Sequence, residues 1–78
     1  MRMSYKHIRD LREDHDLKQE DIAKYLNMSQ TGYSKYERGA IDIPTQVLIK
    51  LARFYNTSID YLLDETDQPE RYPEKAKE

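Results

Sequence analysis

The stretch Gln19-Glu20-Asp21-Ile22-Ala23-Lys24-Tyr25-Leu26-Asn27-Met28-Ser29-Gln30-Thr31-Gly32-Tyr33-Ser34-Lys35-Tyr36-Glu37-Arg38-Gly39 decides the fold. Its first part reads as a short helix. Glu20 and Asp21 fall in the first turn, where the helix dipole favours negative charge. With Lys18 at the cap, Leu17 and Ile22 take the N′ and N4 positions of a hydrophobic staple. Asn27-Met28-Ser29 interrupts the pattern for three residues, and Ser29 caps a second helix running from Gln30 to Arg38. Met28 and Tyr33 are the staple pair of that helix. Gly39 stands where a left-handed residue ends it.

Working outward, a first helix precedes this pair. Ser4 can cap it, Tyr5, Ile8 and Leu11 recur at helical spacing, and His15-Asp16 closes it. Downstream, Pro44 and Thr45 open a fourth helix with Leu48, Leu51, Ala52 and Tyr55 on one stripe. Asn56-Thr57-Ser58 ends it, and Ser58 caps a short fifth helix holding Ile59, Leu62 and Leu63. No window shows the strict alternation of a half-buried strand. The expectation is an all-α, compact five-helix domain over residues 1–65. Residues 66–78, with two prolines and many charges, read as a charged, disordered tail.

Composition narrows the function classes. Seventy-eight residues make one small domain, which argues against a two-domain enzyme with a deep cleft. Thirteen basic against fifteen acidic side chains give a net charge of −2, which excludes binding through bulk positive charge. With no cysteine, disulfide frameworks and thiolate metal sites are impossible. His7 and His15 lie about 12 Å apart along one helix, too far to share an ion, and read as solvated charge. No apolar run approaches a membrane span, and no signal-peptide core follows Met1. The expectation is a soluble, cytoplasmic protein with no cofactor and no metal. It is not expected to be an enzyme: no serine has the setting of a nucleophile, no glycine-rich loop could cradle a phosphate, and Glu13, Asp14 and Asp16 show no sign of burial.

Two short helices joined by a three-residue turn, the second opening on small polar and amide side chains, have the form of a DNA-reading helix-turn-helix. Ala23 is small enough for the two helices to approach closely. Gln30 carries the donor and acceptor that match adenine N6 and N7, and Thr31 can bond to a base edge or meet a thymine methyl. Gln19, with the amides that start its helix, suits a phosphate oxygen. Ser29 and Tyr33 belong to the same candidate surface. Ser34 and Lys35, one turn further, reach a base edge or the sugar-phosphate backbone. Lys35 and Arg38 also complement the dipole at the helix end, and Arg38 can equally brace the acidic loop at Asp42.

These motifs resemble the Cro and phage-repressor (Xre) type helix-turn-helix family. The matching residues are Gln19 to Ala23, Met28 to Thr31 and Ser34 to Gly39. Pro44, Leu48 to Ala52 and Ser58 to Leu63 extend the match, so that it covers Tyr5 to Leu63. The resemblance implies a five-helix domain of the lambda-repressor-like type that binds a double-stranded DNA operator, usually as a homodimer on a two-fold site, to repress or activate transcription. It implies a phosphate contact for Gln19 and recognition-helix roles for Gln30, Thr31, Ser34 and Lys35. It also implies a partly buried ion pair between Arg12 and Glu37.

Three features depart from the family pattern. Gly32 sits inside the recognition helix, where it costs about 1 kcal/mol relative to alanine. Tyr33 holds a position usually given to an aliphatic core residue. The loop Ala40 to Ile43 lacks basic residues. Seven tyrosines exceed what one small core holds, and of these Tyr5, Tyr25 and Tyr61 fall partly outside the core stripes. Val47, Phe54 and Tyr61 are the candidate dimer patch. The competing function class is an antitoxin or anti-repressor acting through protein contact, with a partner such as a toxin.

Overall fold

Five helices appear in the computed structural model, which describes residues 5–70: α1 (Lys6–Asp14), α2 (Gln19–Tyr25), α3 (Gln30–Glu37), α4 (Thr45–Tyr55) and α5 (Ile59–Leu62). Helix α2 packs most extensively on α3, α4 on α5, and α1 touches both α3 and α5. The shared core is built from Tyr5, Ile8, Ile22, Ala23, Leu26, Tyr33, Tyr36, Ile43, Leu48, Leu51, Ala52, Tyr55 and Leu62. No helix among the described residues is long and apolar enough to cross a membrane.

Helix starts follow local chemistry at three places. Ser29 Oγ accepts from the Gly32 amide, and Ser58 Oγ from the Tyr61 amide, each at 3.0 Å. At α2, Asp21 reaches back to accept from the Lys18 backbone N–H at 2.8 Å. Only that half of a reciprocal cap forms, because a lysine side chain has no acceptor to return.

Every helix ends on a left-handed residue. Asp16, Asn27, Gly39, Asn56 and Asp64 all have positive φ, between 55° and 72°. After each, an amide bonds back to a carbonyl five positions earlier: Leu17 to Arg12, Met28 to Ala23, Ala40 to Lys35, Thr57 to Ala52 and Glu65 to Asp60. Of the five, the sequence reading singled out Gly39. Asn and Asp tolerate the same conformation because their short polar side chains bond locally.

The start of α1 corrects the reading. Tyr5, not Ser4, is the N-cap, and its side chain makes no cap bond; Ser4 lies outside the described residues. The cap comes instead from Asp64, 58 positions away. Its carboxylate accepts from the Lys6 and His7 amides, both at 3.1 Å. Tyr5 is itself buried in the core, and its N–H donates to the Glu37 carbonyl at 3.0 Å, tying α1 to the end of α3.

His7 is likewise not solvated. It is 8% exposed, its ring stacks on Tyr61 with centroids 3.9 Å apart, and Nδ1 lies 2.8 Å from the Tyr61 carbonyl oxygen. The physical reason is again α5, which covers the first turn of α1. Past residue 65, Thr57 Oγ1 donates to the Pro69 carbonyl, so the first residues of the expected tail lie against the globule. Residues 71–78 of that tail lie outside the described residues.

Candidate nucleic-acid interface

The interface grows from one buried carboxylate. Glu37 closes α3 and is only 5% exposed, yet it carries charge, so its oxygens must be matched. Arg12 of α1 does most of this: Nε donates to Oε2 at 2.6 Å and Nη2 to Oε1 at 3.3 Å. A third arginine nitrogen, Nη1, donates to the Leu17 carbonyl at 2.8 Å, fixing the loop that leads into α2. The Tyr33 hydroxyl, one turn before Glu37 on the same helix, donates to Oε2 at 2.8 Å. Gln19 Nε2 donates to Oε1 at 3.1 Å.

These partners set the proton affinities. Burial works to raise the pKa of Glu37, but the hydrogen bonds from Arg12, Tyr33 and Gln19 outweigh it and hold the carboxyl below its ordinary value. Burial, reinforced by the neighbouring Glu37 charge, pushes the Tyr33 phenol well up. The network therefore holds one carboxylate, one guanidinium and a neutral phenol across the neutral range.

The charge on Glu37 also dictates which way the two glutamines face. An ionised carboxylate only accepts, so Gln19 must turn its NH₂ toward Glu37 and its carbonyl oxygen outward. That oxygen accepts from Gln30 Nε2 at 2.7 Å. The first residue of α3 is thereby locked to the first residue of α2. Gln30 keeps its carbonyl oxygen and one N–H. Gln19 keeps one N–H. The exposed first turn of α3 thus presents an acceptor and a donor on one amide, the pair that adenine N6 and N7 complement.

The other sequence candidates fall into two groups. Ser29, Thr31, Lys35 and Arg38 are exposed and Ser34 half-buried, all on or next to α3, and Ser29 also serves as its cap. Tyr33 corrects the reading: it is fully buried and cannot touch DNA. Its place one turn before Glu37 turns its hydroxyl inward, so it supports the interface from below. That i, i+4 spacing was the available signal.

The three dimer candidates have different packing partners. Val47 is half-buried against the core. Phe54 is 39% exposed and its ring lies 4.7 Å from that of Tyr25, itself 46% exposed. Tyr61 is stacked on His7.

Residues 8–62 match the helix-turn-helix family model. The chain belongs to the Cro/repressor (Xre) type helix-turn-helix family. Its lambda-repressor-like architecture follows, with α2 and α3 as the helix-turn-helix. It is 36% identical over 63 residues to the uncharacterized HTH-type transcriptional regulator YobD of Bacillus subtilis (strain 168), covering 81% of this chain and 56% of that protein. It is 35% identical over 60 residues to the cryptic phage CTXphi transcriptional repressor RstR of Vibrio cholerae, covering 77% and 54%. With the HTH-type transcriptional regulator ImmR of Bacillus subtilis (strain 168) it shares 38% over 58 residues, covering 74% and 46%. The chain spans about half the length of these curated relatives. No solved structure matches it.

Proposed function

We propose that this chain is a cytoplasmic, sequence-specific DNA-binding transcriptional regulator, a repressor, whose α3 docks in the major groove of a two-fold operator. Residues 1–65 form the DNA-binding unit, and the protein acts by binding rather than catalysis. The observation that carries this reading is the relay from Glu37 through Gln19 to Gln30. It fixes the orientation of two amides, the half-buried Gln19 and the exposed Gln30, at the starts of the two helices of the motif. A fixed amide loses less side-chain entropy on meeting a base than a free one does. Gln30 reads adenine, Gln19 takes a phosphate oxygen with its remaining N–H, and Thr31, Ser34 and Lys35 flank them. Ser29 adjoins them at the start of α3. The relatives' printed names, all of transcriptional regulators or repressors, favour the same reading.

A two-fold operator needs two copies. The second copy covers the exposed Tyr25–Phe54 pair, and recognition helices about 34 Å apart would then enter successive major grooves. Selection of bound sequences from a random duplex pool at fixed ionic strength tests the proposal. The expected product is a palindromic consensus with half-sites one helical turn apart. Failure to enrich any sequence overturns sequence specificity. Enrichment of a single asymmetric half-site overturns the homodimer.

A further inference from the structure

Beside the glutamine relay lies a cleft of about 360 Å³. Its walls include Lys6 and Arg9 from the first turn of α1, Gln19 from α2, and Ser34, Glu37 and Arg38 from the last turn and cap of α3. The cleft continues the proposed base-reading row. Gln30, Ser34 and Arg38 follow one another at four-residue spacing and so share one stripe of the helix, with Arg38 about 12 Å from Gln30 along the axis. Gln19, bonded to Gln30, forms part of the same wall.

The charge in the cleft is lopsided. Its one carboxylate, Glu37, is taken up by Arg12, Tyr33 and Gln19. Its cations are held loosely or not at all. Lys6 Nζ rests on Asp10 at 3.0 Å with its side chain 73% exposed, and Arg9 Nε stands 3.9 Å from Glu13, with both side chains more than half exposed. Such solvated pairs exchange readily for a better anion. Among the described residues Arg38 has no ion pair, so the bracing of the Asp42 loop that the sequence allowed is not formed. Two guanidinium forks lining one concave site, Arg9 from α1 and Arg38 from the cap of α3, suit the oxygens of a phosphate.

We propose that Arg9 and Arg38, with Lys6 at the margin, seat a phosphate of the DNA backbone beside the groove that α3 enters. The inference rests on the DNA-binding reading and adds α1 to the interface, which the sequence placed wholly on α2 and α3. The site fixes where the recognition helix lies along the duplex without reading sequence.

The test uses the full chain, the duplex selected from the random pool and a random duplex of equal length. Affinity for each is measured across a salt series for the wild type, Arg9→Gln/Arg38→Gln, Arg9→Lys/Arg38→Lys and Gln30→Ala. Each neutralised phosphate contributes about 0.9 to the salt slope, or about 8-fold in affinity near 0.1 M salt. The double glutamine variant is expected to lose about 0.9 from the slope and about 8-fold in affinity, equally on both duplexes. The lysine variant keeps the slope, whereas Gln30→Ala loses affinity on the selected duplex alone.

Unchanged slope and affinities in the glutamine variant, with the wild type binding normally, overturn this proposal alone. Absence of wild-type binding to either duplex overturns the DNA reading and this proposal with it. Inorganic phosphate provides a separate arm. Saturable shifts of the Arg9 and Arg38 Nε–H resonances, together with an unchanged salt slope in the glutamine variant, assign the cleft to a free anion and overturn the backbone assignment.

Discussion

Tyr33 in α3 and Tyr55 in α4 are buried to a similar degree, at 0% and 6% exposure, but their hydroxyls meet different surroundings. The Tyr33 hydroxyl donates to Glu37, inside a network that also engages Arg12, Gln19 and Gln30. The Tyr55 hydroxyl is buried with no hydrogen-bond partner among the described residues. The contrast extends to the regions around them. Where α1, α2 and α3 meet, a polar network is buried beside the apolar Ile8, Ile22 and Ala23, and each of its groups is positioned by another. Between α4 and α5, burial is chiefly of the apolar Leu48, Leu51, Ala52 and Leu62, with the buried hydroxyls of Thr57 and Ser58 at the joint each bonded to backbone. The first region holds exposed side chains in place. The second supplies apolar area and tolerates repacking.

The largest expected effect tests whether the polar region behaves as a unit. Arg12→Ala leaves a buried carboxylate uncompensated and should cost about 3–5 kcal/mol, enough to unfold much of a domain this small. Denaturant melts measure it. The double variant Arg12→Met/Glu37→Met, which removes both charges, should recover most of that loss. If it does not, the pair contributes net stability.

Acid should attack the same region. The Glu37 pKa is lowered on folding, so its contribution is present above the ordinary value of 4.5 and is lost as pH falls through the folded-state value. Stability measured by denaturation between pH 7 and pH 3 should decline below about pH 4.5. Substituting Glu37→Gln should remove part of that slope.

Tyr33→Phe should cost about 1–3 kcal/mol, because Glu37 keeps its burial and loses a donor. The same substitution in the other region has the opposite sign. Tyr55→Phe removes an orphaned hydroxyl and should leave stability unchanged or raise it by about 1 kcal/mol. Equal effects at the two tyrosines would break the comparison.

At the joint between α1 and α5, Asp64→Gly, which keeps the left-handed backbone at position 64 without strain, should cost about 1 kcal/mol by uncapping α1. Protection of the Lys6 and His7 amides in hydrogen exchange should fall with it. The smallest effect belongs to Gly32→Ala. An added Cβ meets the flexible tip of Met28 at 3.1 Å and Ser29 Oγ at 3.2 Å. This crowding offsets most of the propensity gain of about 1 kcal/mol, leaving a few tenths in favour of alanine in a thermal melt.

Much of the helical frame was legible in the chain. The starts of α2, α3 and α4 lie where caps and apolar periodicity place them, and α3 and α5 end one residue earlier than read. What misled the reading was long-range. Ser4 looked like a cap because it was near; Asp64 does the capping because α5 folds back over α1. Tyr5 and His7 looked peripheral on their own helix and are buried by α3 and α5. The Glu37–Arg12 contact could be stated only from resemblance, and the Gln19–Gln30 lock was not foreseen.

Sequence alone determined where α2, α3 and α4 begin and that α3 stops at Gly39, because caps, staples and left-handed stops act within about five residues of backbone. It also determined that the first turn of α3 carries amide and hydroxyl groups suited to base edges. Tertiary structure decided the rest. Which way those amides turn depends on a carboxylate 18 residues from Gln19 and an arginine 25 residues from that carboxylate. Hydrogen bonds over such separations form only after the helices have packed, because loop closure and burial must first bring the groups together and exclude water.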